Sequence, residues 1–457
     1  MKVVRLRPTH LAVAVALLAP LGSPAVAASN PAPAARSPTA GHPLATAQQR
    51  ELEERALRVL ASPEVAAQKA LARKLFAAEA TAATPDGRVT LDPALDELVL
   101  ATIYEVVNDD AANPKVLWIE TPQHNWFGKT VPGARYGIDN PDNAYRSIPI
   151  DATGRYEIKG RRSKDGPVQV SFQLYTDATE ENRSKLDAPL GGLIDRQIEV
   201  QPDGSYTITI DSEPANGRPN HIRSTPDTKS LLVRNTFSDW TVQTPDAVEV
   251  KRVSGPAASP ADDRLLAQRA AERLKTAVPF WLKFNREWGT SAAGINQVPQ
   301  PFARGGGWGF ATGGKFRLAA DEALVITVHP QSARYVGFQL TDPWARSRNY
   351  ITRSGSLNNT QAKPNADGSY TYVIAARDPG VHNWLDTDGL HSGSFLIRWQ
   401  AFPEGVASTD GAVRDARVVK LAELGSALPP DTAKVGSAER RSLLSARAAG
   451  FARRLPN

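Results

Sequence analysis

Cysteine is absent from the 457 residues of this chain. Neither a disulfide nor a thiolate zinc site can form, so the burial of apolar side chains must hold the fold together. Apart from the N-terminal run Leu11–Leu21, no stretch approaches the roughly 20 apolar residues that a membrane-spanning helix needs. Glutamate is missing between Glu322 and Glu404. A pair of carboxylates for glycoside hydrolysis in that region would therefore have to consist of aspartates.

Strong charge of one sign is also missing. The formal net charge is +6, and three of the positive charges, on Lys2, Arg5 and Arg7, precede the N-terminal apolar run. The remaining excess is small and dispersed, which argues against a nucleic-acid partner. Gly-x-Ser-x-Gly, the phosphate-binding loop and His-Glu-x-x-His are absent as well, so the sequence carries none of these hydrolase, nucleotide or metalloprotease signatures.

The N-terminus has the pattern of a secretory signal peptide. Basic residues precede the apolar run, and Ala25-Val26-Ala27 provides a small-x-small cleavage site. We therefore predict a signal peptide over residues 1–27, followed by a disordered Pro/Ala/Ser linker over residues 28–44. The predicted location is outside the cell or in the cell envelope, with no membrane span in the mature chain.

Three segments of the chain occur twice. Val170–Leu174 resembles Val336–Leu340, Asp203–Thr207 resembles Asp367–Thr371, and Leu232–Arg234 resembles Leu396–Arg398, at offsets of 166, 164 and 164 residues. Such self-similarity indicates a duplicated structural unit. The repeated Asp-Gly pairs each lie between two strand-like runs, which is typical of a hairpin turn.

The periodicity predicts a mainly β protein with a helical N-terminal segment. We expect a helical segment at residues 45–110, a first β-sandwich unit at 111–255, a connecting helix at 260–292, a second unit at 293–405, and a C-terminal loop and helix at 406–457. Period-two strands without β-α-β alternation favour antiparallel sandwiches or jelly rolls over a doubly wound parallel sheet.

Three further motifs carry a resemblance to a known family. They are Asp139–Tyr145, Ser356–Gln361 and Asp378–Thr387, which occur in this order along the chain. The sequence resembles the bacterial domain-of-unknown-function family 1214, with features of family 1254, over roughly residues 90–405. This resemblance implies a mostly β fold with jelly-roll character and a helical part. It implies no reaction and no functional residues.

The loop from His382 to His391 is the densest group of chemically active side chains. We consider His382 and Asp386 as a candidate catalytic acid/base pair, because histidine can exchange a proton and aspartate can orient it. A second interpretation is a self-bonded connection with Trp384 closing the end of a sandwich. A third is a divalent cation at Asp386, Asp388 and His391. We predict no tightly bound metal and no cofactor.

Aromatic, amide and guanidinium groups of the second unit form the candidate ligand-binding set. It consists of Tyr335, Asp342, Trp344, Asn358, Gln361, Asn383, Trp384 and Arg398. Aromatic rings can stack on a sugar ring, and Arg398 can hold an anionic group in a bidentate manner. Arg398 and its equivalent Arg234 could instead point to solvent by simple strand alternation.

These observations predict a secreted protein that binds or acts on a polar, ring-bearing small molecule such as a carbohydrate through its second β unit. The alternative is a non-enzymatic scaffold or interaction protein of the cell envelope. Such a protein could form a homo-oligomer. The sequence does not decide whether the protein is an enzyme.

Overall fold

The computed structural model describes residues 42–186, 188–287 and 294–455. The predicted signal peptide and most of the predicted linker lie outside these ranges. Within them, no helix is both long enough and apolar enough to cross a bilayer.

The predicted N-terminal segment is helical. The helices of the described chain are α1 (Ala47–Leu60), α2 (Pro63–Ala78), α3 (Pro85–Val107), α4 (Asp263–Glu287), α5 (Leu424–Ala427) and α6 (Ser437–Ala452). Side chains of Thr46, Ser62 and Thr84 cap the first three, because each hydroxyl accepts a hydrogen bond from an otherwise unsatisfied first-turn N–H. The side chains of α3 are almost all buried, and this helix contacts α1, α2 and α4.

The first β unit consists of two sheets. Its strands are β1 (Leu117–Ile119), β2 (His124–Trp126), β3 (Lys129–Val131), β4 (Asn143–Pro149), β5 (Arg155–Arg161), β6 (Gln169–Tyr175), β7 (Gly191–Ile194), β8 (Ser205–Asp211), β9 (His221–Arg223), β10 (Ser230–Thr236) and β11 (Ala247–Ser254). A five-stranded sheet has the order β1-β4-β10-β6-β7, a four-stranded sheet has the order β11-β5-β8-β9, and β2 and β3 pair separately.

The second unit repeats this arrangement. Its strands are β12 (Phe302–Ala303), β13 (Gly309–Arg317), β14 (Glu322–Val328), β15 (Tyr335–Thr341), β16 (Ser356–Asn358), β17 (Tyr370–Ala375), β18 (Trp384–Asp386), β19 (Ser392–Gln400) and β20 (Val413–Lys420). The sheet orders are β12-β13-β19-β15-β16 and β18-β17-β14-β20. Both the strand order and the one parallel pair per unit, β8 with β9 and β17 with β18, agree with the predicted duplication.

Each unit is a sandwich whose two sheets share one apolar core. In the first unit, Phe172 and Val233 of the five-stranded sheet pack with Ile158 and Ile208 of the four-stranded sheet. In the second unit, Phe338 and Ile397 pack with Ile326 and Tyr372. The mainly β fold with antiparallel sandwich units is therefore confirmed.

The second unit is longer than the predicted range 293–405. Strand β20 pairs with β14 along its whole length, so the unit extends to Lys420. The strand was missed because it is a partly exposed edge rich in charged residues, and its pattern therefore reads as a loop. The chain before it, from Pro403 onwards, contains the turn signals that suggested an end to the sandwich.

The two units face each other through a buried polar layer, which we call the inter-unit layer. Arg234 and Arg398 lie on the faces of the five-stranded sheets that point away from the sandwich cores, and each is 1% exposed. Gln173 and Gln339, one on each equivalent strand, accept a hydrogen bond from these arginines. Neither sequence interpretation of the strand arginines is correct, because the outer face of one sheet is covered by the other unit and not by water.

Contacts across this layer are direct. The Gln400 side chain donates to Gln169 Oε1 at 2.6 Å, and Arg398 Nη2 donates to the carbonyl of Ile138 at 2.7 Å. Asp142 accepts hydrogen bonds from Tyr335 and from Asn358, each at 2.8 Å. Two of the three motifs that carry the family resemblance thus meet at Asp142.

Helix α6 spans both units through an arginine stripe, which we define as Arg440, Arg447 and Arg454. Arg440 and Arg447 are seven residues apart on one face of the helix, and Arg454 follows two residues after its end. Arg440 binds Asp378 of the second unit, Arg447 binds Gln361 and Ser356, and Arg454 donates to the carbonyl of Pro141 in the first unit. All three are at least nine-tenths buried, so the C-terminal arginines form a docked face.

Candidate functional site

A cleft of about 420 Å³ lies between the helices and the first β unit. We call it the helix–sheet cleft. Its walls come from the last turn of α3, from α4, and from the ends of β4, β6 and β10. Ala101, Val106 and Ile119 give it apolar surface, while Tyr104, Asn108 and Ser230 add polar groups. An apolar cleft with a few convergent polar groups is typical of a small-molecule site.

Glu105 is the central acidic group of the cleft. Its side chain is 10% exposed, and Oε2 accepts a hydrogen bond from Arg273 at 2.8 Å. Among the described residues, Oε1 has no hydrogen-bond partner although it is buried. Burial raises the pKa of Glu105 to about 7, against the opposing effect of Arg273. The carboxyl group therefore exchanges a proton near neutral pH.

Two further carboxylates lie beside Glu105. Desolvation by the cleft walls, and then the charge of Asp177, raise the pKa of Asp109 to about 6. The charges of Asp177 and Asp109 also contribute to the raised pKa of Glu105. Glu105 lies in the last turn of α3 and Asp109 follows two residues after its end. The negative end of the helix dipole adds to the repulsion there.

The cations of the cleft differ in their hydrogen bonds and ion pairs. Arg273 donates to Glu105, to Thr276 Oγ1 and to the carbonyl of Ala178, so each of its three guanidinium nitrogens is engaged. In the described part of the chain, no hydrogen bond or ion pair engages the side chains of Lys229 and Arg269, which line the rim. A ligand would therefore meet the buried Glu105 inside the cleft, and Asp109, Lys229 and Arg269 at its exposed edge.

Two hydroxyl groups complete the inner surface. Tyr104 and Ser230 line the cleft, and within the described ranges neither hydroxyl has a hydrogen-bond partner although both oxygens are buried. A buried, unpaired polar group is costly and commonly marks a place where water or a ligand binds. No group of three or more histidine, aspartate or glutamate side chains suited to a metal ion occurs among the described residues.

The predicted pair His382 and Asp386 is not brought together. His382 Nδ1 contacts Asn383 at 3.2 Å, and its carbonyl accepts from Arg440 of α6. Asp386 binds Arg353 at 2.8 Å. Burial lowers the pKa of His382 and raises that of Asp386. Each side chain thus has its own structural partner.

The three residues considered for a divalent cation are also engaged elsewhere. Asp388 forms ion pairs with Arg348 and Arg353. Asp386 Oδ1 accepts from the backbone of Asp388, and His391 Nδ1 contacts the carbonyl of Leu318 at 3.2 Å. Arginine side chains and one backbone N–H thus occupy the carboxylate oxygens that a cation would need.

Most of the predicted ligand-binding residues are interior residues. Tyr335, Asn358 and Arg398 belong to the inter-unit layer, where Tyr335 and Asn358 share Asp142. Trp344 is 2% exposed and donates to the carbonyl of Gly87. Asp342, fully buried, binds Arg346 at 2.8 Å. These side chains offer no open face on which a sugar ring could stack.

The remaining three predicted residues lie under helix α6 or beside it. Trp384 donates to the carbonyl of Ala375 and lies 5.2 Å from the guanidinium of Arg440. Gln361 accepts from Arg447 at 2.9 Å. Asn383 holds the backbone of Lys363 through both atoms of its amide. The structure thus separates this group from the inter-unit residues.

Asn220 of the first unit performs the same task as Asn383. Its amide accepts from the N–H of Glu199 and donates to the carbonyl of Glu199. By strand pairing, His221 at the start of β9 corresponds to Trp384 at the start of β18. The shared asparagine therefore braces a neighbouring loop in both copies.

Sequence inspection missed the helix–sheet cleft for an identifiable reason. Its residues come from six separate segments, and none of those segments contains a dense motif. The one local signal was the placement of Glu105 and Asp109 at the C-terminal end of a helix. Like charges four residues apart are unfavourable there.

Comparison with known proteins supports the fold and identifies no activity. No family profile matches the chain, and no curated protein matches it. A crystal structure of an uncharacterised protein from Burkholderia cenocepacia has a TM-score of 0.61 and 27% identity, covering 80% of this chain and 99% of that one. The VPA0106 protein from Vibrio parahaemolyticus has a TM-score of 0.38 and 12% identity, covering 62% and 90%.

Proposed function

We propose that this protein binds a small polyhydroxylated ligand of the carbohydrate type in the helix–sheet cleft, with Glu105 as the group that shares a proton with the ligand. The proposal keeps the ligand class expected from the sequence and moves the site from the second unit to the first. It also keeps the expected export of the chain by residues 1–27.

One observation carries the proposal. The carboxyl group of Glu105 is buried and half satisfied, and it lies in a cleft of about 420 Å³ that has both apolar and polar lining residues. With a pKa of about 7, it can donate to a ligand oxygen when protonated or accept from a hydroxyl when ionised. This is the property that general acid/base catalysis requires.

The surrounding groups suit hydroxyl recognition. Tyr104 and Ser230 bring hydroxyl groups, and the apolar wall accommodates the non-polar face of a sugar ring. The amide of Asn108 is engaged with the carbonyls of Lys115 and Ser147, so it fixes the wall and leaves recognition to the hydroxyls and acids.

A binding screen tests the proposal. Neutral monosaccharides and short glycans are titrated against the wild type and Glu105→Gln, with binding measured calorimetrically at pH 6.5. We expect at least one ligand whose affinity falls about ten-fold or more in Glu105→Gln, equivalent to about 1.4 kcal/mol. The control is Glu181→Gln, which removes an exposed carboxylate outside the cleft.

Two results would overturn the proposal. Binding of a glycan that is insensitive to Glu105→Gln would place the site elsewhere. Absence of binding across the panel, together with a stable oligomer in sizing experiments, would favour the scaffold alternative.

A further inference from the structure

The distribution of charge in the helix–sheet cleft restricts its ligand beyond the class proposed above. Three acidic residues line the cleft: Glu105 in the last turn of α3, Asp109 just after that helix and exposed to solvent, and the half-buried Asp177 after β6. The cations that face them are Arg273 and Arg269 of α4 and Lys229 of the segment before β10. Glu272 of α4 also lines the cleft, and it pairs with Lys275 of its own helix.

These cations offset the acidic groups of the cleft only in part: the charges of Lys229, Arg269 and Arg273 oppose the rise in the pKa of Asp109, which still reaches about 6. Of the three, Arg273 forms a hydrogen-bonded ion pair with Glu105, and its other two guanidinium nitrogens bind Thr276 and the carbonyl of Ala178. Lys229 and Arg269 are exposed at the rim. Within the described ranges, no hydrogen bond or ion pair engages the carboxylates of Asp109 and Asp177, and Glu105 Oε1 is buried without a partner.

The end of helix α3 adds to this negative region. The last carbonyl groups of a helix carry the negative end of its dipole, and this effect is confined to the final turn. Glu105 belongs to that turn and Asp109 follows it. Placing two carboxylates there costs stability, which a bound cation would restore.

We infer that the ligand of the helix–sheet cleft carries a protonated amine, which donates to Glu105 Oε1 and lies between Asp109 and Asp177. This inference rests on the proposed function and specifies its ligand class as an amino sugar. The ammonium supplies the donor that Oε1 lacks, and the ring hydroxyls lie toward Tyr104 and Ser230. The rim cations then contact any anionic substituent of the ligand.

Proton exchange distinguishes this ligand from a neutral one. At pH 6.5 the carboxyl group of Glu105 is partly protonated, because its pKa is about 7. An ammonium ion stabilises the ionised carboxylate, so binding an amine must release a proton from the cleft. A neutral sugar has no such preference for the ionised form and therefore releases none.

The experiment compares glucosamine, glucose, N-acetylglucosamine and cyclohexylamine by calorimetry at pH 6.5 in two buffers of different ionisation enthalpy. We expect glucosamine to bind about ten-fold or more tightly than glucose or N-acetylglucosamine, since a charge-assisted hydrogen bond is gained. Proton release is expected with glucosamine alone among the sugars. Asp109→Asn and Asp177→Asn should reduce the preference for glucosamine, while the control Asp165→Asn, an exposed carboxylate away from the cleft, should not.

The outcomes separate the two proposals. Equal binding of glucose and glucosamine would overturn the amine inference and leave the proposed function standing. Binding of cyclohexylamine without any sugar would support the amine and overturn the carbohydrate class. If none of the four probes binds, the amine inference fails, and the wider glycan panel decides the proposed function.

Discussion

Glu105 combines three conditions that oppose its ionisation: burial, two neighbouring carboxylates and the negative end of helix α3. One ion pair with Arg273 compensates for only part of this, and the pKa stays near 7. Structural stability alone does not account for such a placement, because a neutral side chain of the same size would be better tolerated. Residues with strongly shifted pKa values in clefts are candidates for function for this reason.

The pH dependence of stability follows from this shift. The pKa of Glu105 is raised in the folded state from 4.5 to about 7. Its protonated form is therefore favoured by folding, and stability is lost as the pH rises from about 4.5 to about 7. We expect Glu105→Gln to match the wild type at pH 4 and to exceed it by up to about 3 kcal/mol at pH 8. Urea denaturation at both pH values measures this, and a wild type more stable than the variant at pH 8 would contradict it.

The arginines of β10 and β19 show what residue-level prediction could and could not provide. Their equivalence was visible in the repeated Leu-Val/Ile-Arg segments, and alternation correctly places them on the face away from the sandwich core. What covers that face could not be predicted, because the covering residues belong to the other unit: Trp308 lies against Arg234, and Ile138 accepts a hydrogen bond from Arg398. For the same reason, Asp142 could not be predicted as the partner of Tyr335 and Asn358.

At the scale of elements, the loops before β9 and β18 are braced by an asparagine in each unit. The structural role common to both copies explains why Asn220 and Asn383 persist while the neighbouring His, Trp and Asp positions diverge. The segment His382–His391 is rich in polar groups, and these groups bind other parts of the protein. Their partners are chiefly arginines of the 346–353 loop and of α6.

Substitution of these asparagines tests that account. Asn220→Ala and Asn383→Ala should each lower the free energy of unfolding, by about 1 to 3 kcal/mol, because the braced backbone groups lose a partner. The more buried Asn383 should cost more. The comparison is Gln201→Ala, whose exposed amide should change stability by less than about 0.5 kcal/mol. Chemical denaturation supplies the values, and an unchanged stability in Asn383→Ala would refute the bracing role.

Helix α6 depends on its arginine stripe for docking. Arg447 binds the carbonyl of Tyr350, Gln361 and Ser356 and lies 4.4 Å from the ring centroid of Trp240. We expect Arg447→Ala to lower the free energy of unfolding by about 3 kcal/mol, since a buried hydrogen-bonded cation is lost. Arg441→Ala, on the exposed face of the same helix, should be nearly neutral. Limited proteolysis of α6 gives a second readout, and equal behaviour of both variants would argue against the stripe.

At the scale of the whole molecule, the two sandwiches form one body. The inter-unit layer joins their outer sheet faces with polar side chains, and α6 crosses from one unit to the other. The sequence predicted the duplication, the sandwich class and the helical segment, and the structure contains all three. The relative placement of the units did not follow from the sequence, because polar residues on an outer strand face predict solvent exposure unless the opposing surface is known.

This joining predicts cooperative unfolding. Separating the two units would break the buried contacts of Arg234 and Arg398 at their interface. The two units should therefore unfold together. We expect a single calorimetric transition that coincides with the loss of far-ultraviolet circular dichroism. Arg398→Ala should shift that transition to lower temperature without dividing it. Two separate transitions in the wild type would show that the units are independent.

The position of α6 in the chain also imposes an order of events during synthesis. Each sandwich can form its own core as soon as its last strand has left the ribosome, but the helix that bridges them is translated after both. Until Arg440, Arg447 and Arg454 emerge, the groups that they bind, among them Asp378, Gln361 and the carbonyl of Pro141, lack these partners. Assembly of this molecule is therefore completed from its C-terminal side, as a late event in the life of each chain.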